Sequence, residues 1–467
     1  MITQIEIDGF KTFRDFKVEL APFQVIVGPN ASGKSNLFDA LQLLSRLVSV
    51  DLLSAFKGLR GDVHELFTNL PGEKSNPRIH IAVEMLIDSN IQDEFGNEVQ
   101  LTHRRLRYEI TISLKKRGTQ EQLRVIHESL ASISIDKDEW SKKYTPILLK
   151  EVYPETLQNQ SIFIETSQEK TNKTEPLLLL NSENEHEGKI FFSERMKRTI
   201  LSGVNNIDFP HTYAVSEALR SLNLLHLNPK ELRRPSQFAD SPYLSQDGEN
   251  LPATLARIQN EDPLTFNLIS LDMARLVPGI LAITVEKDQI RNQYYIQVKM
   301  SDQRTFSANV LSDGTLHLLA LATLRNDPQL HGTVCIEEPE NGVQSLYLPR
   351  VAELLRSMAT NFGDSEQANQ PLKQILVITH SPLFISLPEV RDSLLLTIMP
   401  SYVEGKGLPP LQITRMVPVV TRDTSIAKSN DRNRAIEAYT IDTVKKILNE
   451  ATLQEARDYL QNATGNL

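Results

Sequence analysis

The chain has 467 residues, with 50 Lys and Arg against 59 Asp and Glu, a formal charge of −9. Hydrophobic residues make up 40% and charged residues 23%, which excludes disorder as the main state, and the single cysteine, Cys335, excludes an intrachain disulfide framework. The acidic balance argues against a global field that attracts nucleic acid, although local basic patches remain compatible with it.

In chain order, the opening Met1-Ile-Thr-Gln-Ile-Glu-Ile-Asp8 has neither the basic nor the apolar region of a signal peptide, so a cytoplasmic location is expected. Ile5 and Ile7 alternate with polar neighbours, as do Phe16, Val18 and Leu20, which predicts two strands. Phe23–Val27 is a short buried strand that runs into Gly28. Beyond the next loop, Leu37, Ala40, Leu41, Leu44 and Leu47-Val48 recur at helical spacing. Between about 78 and 130 the period becomes two, with Ile79, Ile81, Val83, Met85 and Ile87 on one face and Leu106, Tyr108, Ile110, Ile112 and Leu114 on another. These are antiparallel strands with one wet face, the second ending at Lys116-Arg117-Gly118.

Residues 131–275 carry polar stretches such as Asn181–Gly188, which reads as a solvated loop, and no heptad pattern long enough for a coiled-coil arm. Farther on, Ile296, Val298 and Met300 mark a strand, and Val334–Ile336 and Ile375–Ile378 suit buried parallel strands. Residues 431–463 read as two helices, the second opened by Thr452 with Glu455 as its capping box. The longest apolar stretches, such as Leu316–Leu324, fall far short of the roughly 18 residues needed to span a bilayer.

Gly28-Pro29-Asn30-Ala31-Ser32-Gly33-Lys34-Ser35 fits G-x-x-x-x-G-K-[ST] in full, between a strand and a helix. Glycines let backbone N–H groups curl around phosphate oxygens, and the helix N-terminus adds its positive end. Lys34 would reach the terminal phosphates and the Ser35 hydroxyl would hold Mg²⁺. A P-loop alone does not say which NTPase this is. Leu311-Ser312-Asp313-Gly314-Thr315 precedes an apolar helix, Glu337-Glu338-Pro339-Glu340-Asn341-Gly342 follows an apolar run, and His380 ends the strand Ile375–Thr379. Each is ordinary alone; in this order after a P-loop, chance is a poor explanation.

The ensemble resembles ATPases of the ABC superclass, specifically RecF/SMC-like AAA-type predicted ATPases without transporter subunits. The resemblance rests on Ile5-Glu-Ile-Asp-Gly-Phe-Lys-Thr-Phe13, the P-loop continued by Asn36, Leu311–Thr315, Ile336–Gly342 and Ile378–Pro382. Asn228-Pro-Lys-Glu-Leu-Arg233 and Asp247–Leu251 add to it, so that about 1–60, 215–260 and 295–390 are covered. It implies that Gly28 to Ser35 with Asn36 form the Walker A nucleotide site, and that Ser312 and Gly314 form a signature contacting the γ-phosphate held by another subunit. It further implies that Glu338 polarises the attacking water, that His380 is the switch histidine, and that Asn341 opens the D-loop. Ser35 and Glu337 are the expected Mg²⁺ residues, although Glu337 stands where the superclass usually has Asp, one methylene shorter. A Q-loop is not identifiable.

The expected fold is α/β, a P-loop NTPase of the ABC-ATPase head type. It has a mixed sheet, an antiparallel β subdomain, a large α/β or helical insertion and no long coiled coil. Residues 1–130 would form an N-terminal ATPase lobe, 131–275 an insertion of unassigned fold, 276–400 a C-terminal ATPase lobe and 401–467 a C-terminal strand and helical extension. Glu338, His380 and Lys34 are the expected catalytic groups, with ATP and Mg²⁺ as ligands. The expected activity is ATP hydrolysis in a homodimer or higher homo-oligomer, a nucleotide-gated switch or scaffold controlling a protein effector, in anti-phage defence. The alternative is a RecF/SMC-like clamp on DNA in repair.

Among weaker signals, Arg105, Arg107, Lys115, Lys116, Arg117 and Arg124 could follow a phosphate backbone, but Glu109 and Glu121 interrupt them and a solvated strand face is preferred. Arg233-Arg234 reads as a charged loop that could reach nucleotide or partner, and Cys335 as packing.

Overall fold

The computed structural model describes the chain apart from 69–76, 118–119, 154–159, 168–175, 182, 184–186, 194–195, 365–370, 403–409, 421–438 and 465–467; for 116–117, 120–121, 402 and 453–464 it describes the backbone alone. Strands β1 (Ile2–Asp8) and β2 (Phe16–Glu19) alternate buried and open residues, whereas β3 (Phe23–Val27) is buried throughout. Helix α1 (Lys34–Leu47) buries Leu37, Ala40, Leu41, Leu44 and Leu47, the stripe its spacing aligns. Then come β4 (Arg78–Leu86), β5 (Arg105–Arg117), β6 (Gln120–Ser132), β7 (Ile162–Ser167), β8 (Leu177–Leu180) and β9 (Lys189–Phe192). Next are α2 (Pro210–Arg220), β10 (Asn223–Leu225), α3 (Pro229–Leu232), α4 (Leu251–Glu261), α5 (Pro263–Leu276) and the hairpin β11 (Ile280–Asp288) with β12 (Gln293–Met300). The C-terminal part holds α6 (Asp313–Asn326), β13 (Gly332–Glu337), α7 (Leu348–Met358), β14 (Lys373–Thr379), β15 (Leu394–Ile398), β16 (Arg415–Val420), β17 (Tyr439–Thr440) and α8 (Ile441–Thr464).

An eight-stranded antiparallel sheet has the order β9-β8-β7-β6-β5-β4-β1-β2, and a seven-stranded sheet the order β10-β13-β14-β3-β15-β16-β17. The second sheet is parallel from β10 to β15, with β16 antiparallel to β15. Its strands carry two apolar faces, as a period of two requires. Ile26, Cys335, Leu376 and Ile378 face a core shared with the antiparallel sheet, α1 and α2. Val25, Val27, Val334, Ile336 and Val377 face a second core with α4 to α7. The stretch 131–275 is divided among these layers: β7, β8 and β9 extend the antiparallel sheet, β10 is the edge of the parallel one, and α4 and α5 cover its far face.

The expected fold class, a P-loop head with a mixed sheet and an antiparallel β subdomain, is the observed one. Among the described residues the longest helix is α8, and no helix is long and apolar enough to cross a membrane.

Three local expectations change. Residues 441–464 form one helix, not a pair divided at Thr452; the Thr452 hydroxyl donates to the Leu448 carbonyl (2.9 Å), back-bonding inside a helix rather than capping one. The rest of that reading, 431–438, lies outside the described residues, as does Gly118 at the hairpin. Within Asn181–Gly188, Glu183 is buried, accepting from the His211 N–H (3.0 Å) and the Thr212 hydroxyl (2.9 Å) and bonded to His211 Nδ1 (2.8 Å). The basic strand face is also no solvated stripe. Arg105 is fully buried on Asp138 and Thr3, and Arg107 is paired with Glu6, Glu84 and Glu109.

Candidate active site

The parallel register sets the site. Val27 lies opposite Thr379, and Glu337 opposite Ile378, so three strands end together where the P-loop, the two carboxylates and His380 begin. The strand β14 lies between β3 and β13, which leaves room above it for the groups from both sides.

Gly33 closes the P-loop with φ 92°, and a Cβ there would overlap the Thr414 hydroxyl, so both backbone handedness and space demand glycine. Thr414 Oγ1 lies 2.6 Å from Thr12 Oγ1, whose hydroxyl also accepts from the Asn36 amide (2.8 Å). Thr12 and, just before strand β16, Thr414 thus brace the loop from behind. The Lys34 ammonium donates to the carbonyls of Gly28 (2.7 Å) and Pro29 (2.6 Å), folded over the loop. Ser32 Oγ is buried without a hydrogen-bond partner.

A cavity of about 180 Å³ is lined by Asn30 to Asn36, Glu337, Glu338 and Ile378. Loop N–H groups, an ammonium, an orphaned hydroxyl and two opposed carboxylates are the donor set that a phosphate chain with a divalent cation calls for, so these residues fit nucleotide and Mg²⁺.

Glu338 adopts φ 48°, an uncommon backbone state for a residue with a side chain, while its N–H still donates to the Ile378 carbonyl (2.8 Å). This turn lifts the carboxylate off the sheet. One oxygen lies 2.8 Å from His380 Nδ1 and the other accepts from the Asn341 amide (2.6 Å). Glu340 accepts from the Thr379 hydroxyl, its second oxygen has no partner, and burial raises its carboxyl above the ordinary range.

Ser312 caps α6, accepting from the Thr315 N–H (3.1 Å), and Gly314 abuts Gly342, where a Cβ would overlap the Gly342 carbonyl. Neither lines the P-loop cavity. One subunit therefore gathers Asn30–Asn36, Glu337 and Glu338 around one cavity, with His380 bonded to Glu338, and places Ser312 and Gly314 outside that lining, beside the turn that follows the carboxylates.

One neighbour, His226, is absent from the sequence reading, and another, Arg233, is placed more closely by the structure. His226 Nδ1 lies 3.1 Å from Glu337, and Arg233, read as a charged loop, donates to the Leu311 carbonyl (2.6 Å) and pairs with Asp313. The Asn228–Arg233 stretch signals Arg233, and nothing local signals His226. Near them His317 is buried with neither ring nitrogen bonded, and burial, with His226 nearby, lowers it to about 4 against the pull of Asp313. Cys335 is buried and its thiol pushed up by burial, in keeping with packing.

The family described as "AAA domain, putative AbiEii toxin, Type IV TA system" matches residues 23–386. The chain belongs to this family. The match spans every motif placed above from the P-loop to His380, and it bears out the AAA-type ATPase reading, whose P-loop implies nucleotide and, with it, Mg²⁺. No curated protein matches the chain. Among solved structures it is similar to an Smc head bound to the C-winged helix domain of ScpA, with 14% identity, a TM-score of 0.47 and coverage of 89% of this chain and 97% of that one. An Smc head with an extended coiled coil, bound to the C-terminal domain of ScpA derived from Pyrococcus furiosus, has 12% identity, a TM-score of 0.46 and coverage of 89% and 95%. The SMC head domain from Thermotoga maritima has 13% identity, a TM-score of 0.38 and coverage of 90% and 99%.

Proposed function

We propose that the chain hydrolyses ATP in a closed homodimer, and that this cycle is a nucleotide-gated switch or scaffold acting on an effector protein in the cytoplasm. The observation that carries the reading is the division of the site: Lys34, Glu337 and Glu338 line one cavity and His380 is bonded to Glu338, whereas Ser312 and Gly314 neither line that cavity nor bond to these groups.

Gly28–Asn36 would hold the phosphates, and Ser35 and Glu337 the Mg²⁺, whose charge would offset that of the phosphates when bound. Glu338 orients a water and takes its proton as the water oxygen bonds to the γ-phosphorus and the β–γ bridging bond breaks, with ADP leaving. Lys34 and His380 stabilise the charge on the transferring group. The α6 N-terminus of a second copy, at Ser312 and Gly314, would complete the anion site. The family's description, a putative toxin of a type IV toxin–antitoxin system, supports a defence setting. The DNA-clamp alternative gains nothing from the β5 face, where Arg105 and Arg107 are consumed by carboxylates.

The test is sedimentation of the Glu338→Gln protein with and without ATP and Mg²⁺, beside the turnover of the parent protein across a dilution series. An ATP-dependent dimer and a specific activity that falls on dilution are expected. Full turnover by a monomer would contradict the shared site, and turnover that rises steeply with added DNA at low salt would favour the clamp.

A further inference from the structure

We propose that His226–Arg233 is a strap tying Glu337 to the signature loop, with Arg233 as the positioning residue that holds Ser312 in place for the second copy. The inference rests on the closed-dimer reading and supplies a coupling element between the nucleotide site and the signature loop.

The first end follows from register. Strand β10 pairs with β13 as far as Leu225 opposite Ile336, so the next residues, His226 and Glu337, emerge side by side and meet at 3.1 Å. The second end is Arg233. Its guanidinium donates to the carbonyls of Leu311 (2.6 Å), Asn309 (3.2 Å) and Ala308 (3.4 Å) and pairs with Asp313, so one side chain gathers the loop on both sides of Ser312. Nη1 faces the carbonyls and Nη2 the Asp313 carboxylate, two directions that a planar guanidinium holds at once and a single ammonium nitrogen does not.

The span between is stiff. The His226 N–H donates to the Gln246 carbonyl (2.8 Å) and the Asn228 N–H to that of Asp247 (3.0 Å). Asn228 caps the short turn α3, accepting at its side chain from the Lys230 N–H (3.0 Å) and at its carbonyl from those of Glu231 and Leu232 (2.9 Å each). Leu232 is fully buried against Gly248, where a Cβ would overlap it. A rigid piece anchored at both ends carries a displacement rather than absorbing it. A cation held at Glu337 would share that carboxylate with His226, whose bond uses one of the two oxygens, so its binding and the strap's position are linked.

The test uses the full chain, with Arg233→Ala, Arg233→Lys, His226→Ala and the double alanine variant, each also in the Glu338→Gln background. Amide exchange at 308–313 is read without ligand and with ATP and Mg²⁺, beside ATP affinity and sedimentation. Arg233→Ala should speed exchange at 308–313 by about tenfold or more in the ligand-free protein. It should leave ATP affinity within about twofold while weakening the ATP-dependent dimer about tenfold or more. His226→Ala should abolish the exchange change that ATP and Mg²⁺ cause in that loop, and the two alanine effects on dimerisation should be non-additive.

Parental exchange in Arg233→Ala, or strictly additive effects, would overturn the strap. If Arg233→Ala does not fold, Arg233→Lys decides, with intermediate exchange supporting the proposal and parental exchange overturning it. If the Glu338→Gln parent binds ATP and stays monomeric, the dimer reading fails, and the exchange data still judge the strap by themselves.

Discussion

Glu338 and His380 meet at 2.8 Å although 42 residues separate them, because neighbouring parallel strands deliver them to the same edge. Asn341 holds the second carboxylate oxygen, so the group is fixed at both ends before any substrate arrives. A carboxylate fixed in this way suits a water-orienting base. Glu338→Gln is expected to bind ATP with near-parental affinity and to lower phosphate release about 10²- to 10³-fold. His380→Ala should cost less, about tenfold to 10²-fold, since the carboxylate keeps Asn341. Steady-state phosphate release beside equilibrium ATP binding checks both, and a parental rate in Glu338→Gln would remove the role assigned to it.

Lys34 rests on the carbonyls of Gly28 and Pro29, bonds it must exchange for phosphate oxygens when nucleotide enters. Lys34→Ala should keep the fold, at a cost of about 1 kcal/mol, and lose about 10²-fold or more in ATP affinity by calorimetry. Gly33→Ala acts on the backbone instead. With φ 92° and Thr414 in the space of a Cβ, it should cost about 1–3 kcal/mol in denaturant unfolding and weaken ATP binding as well.

The P-loop, β3, α1 and the strands leading to Glu337 and His380 were legible because their signals are local: a loop with fixed spacing, apolar runs, a 3.6-residue stripe. His226 was not, because it joins the site only through the register of an edge strand of three residues with a strand more than a hundred positions away. Arg105 was misread for a related reason. Alternation placed it on a polar strand face, but Asp138 and Trp140, from a turn beyond β6, fold over that face and bury it. The single helix 441–464 was divided in reading because Thr452 and Glu455 match a cap locally, while only packing decides whether a helix runs through them.

The Arg105 guanidinium is buried on Asp138 (2.7 and 3.0 Å) and Thr3 (2.7 Å), tying β5 to β1 and to the segment after β6. Removing one member strands a buried charge, which is dearer than the pair itself. Arg105→Met should therefore destabilise the protein by about 3–5 kcal/mol, and Arg105→Met with Asp138→Leu by less than the two single losses together, Asp138 also accepting from the Ser141 N–H (3.1 Å) and the Tyr153 hydroxyl (2.6 Å). Denaturant unfolding of the parent, both single variants and the double variant measures the coupling, and strictly additive losses would show that the guanidinium acts by packing alone.

Glu128 presents the opposite case, a buried carboxylate without a cation against it. It accepts from the backbone N–H groups of Ile200 (2.8 Å) and Leu201 (3.0 Å) and from the Tyr108 hydroxyl (3.1 Å), locking the 199–203 segment onto β6. Burial outweighs these donors and raises the group from the ordinary 4.5 to about 7. Between those values the folded chain holds a proton that the unfolded chain has lost, so the contribution to stability is full below about 4.5 and falls as pH rises towards 7. Glutamine at this position does not titrate. The stability of the parent relative to Glu128→Gln should therefore decline from pH 5 to pH 8, by on the order of 3 kcal/mol at most, and level off above that. Denaturant unfolding across that pH range checks it: a difference that stays constant, or that grows with pH, would mean that the three donors hold the carboxylate ionised throughout.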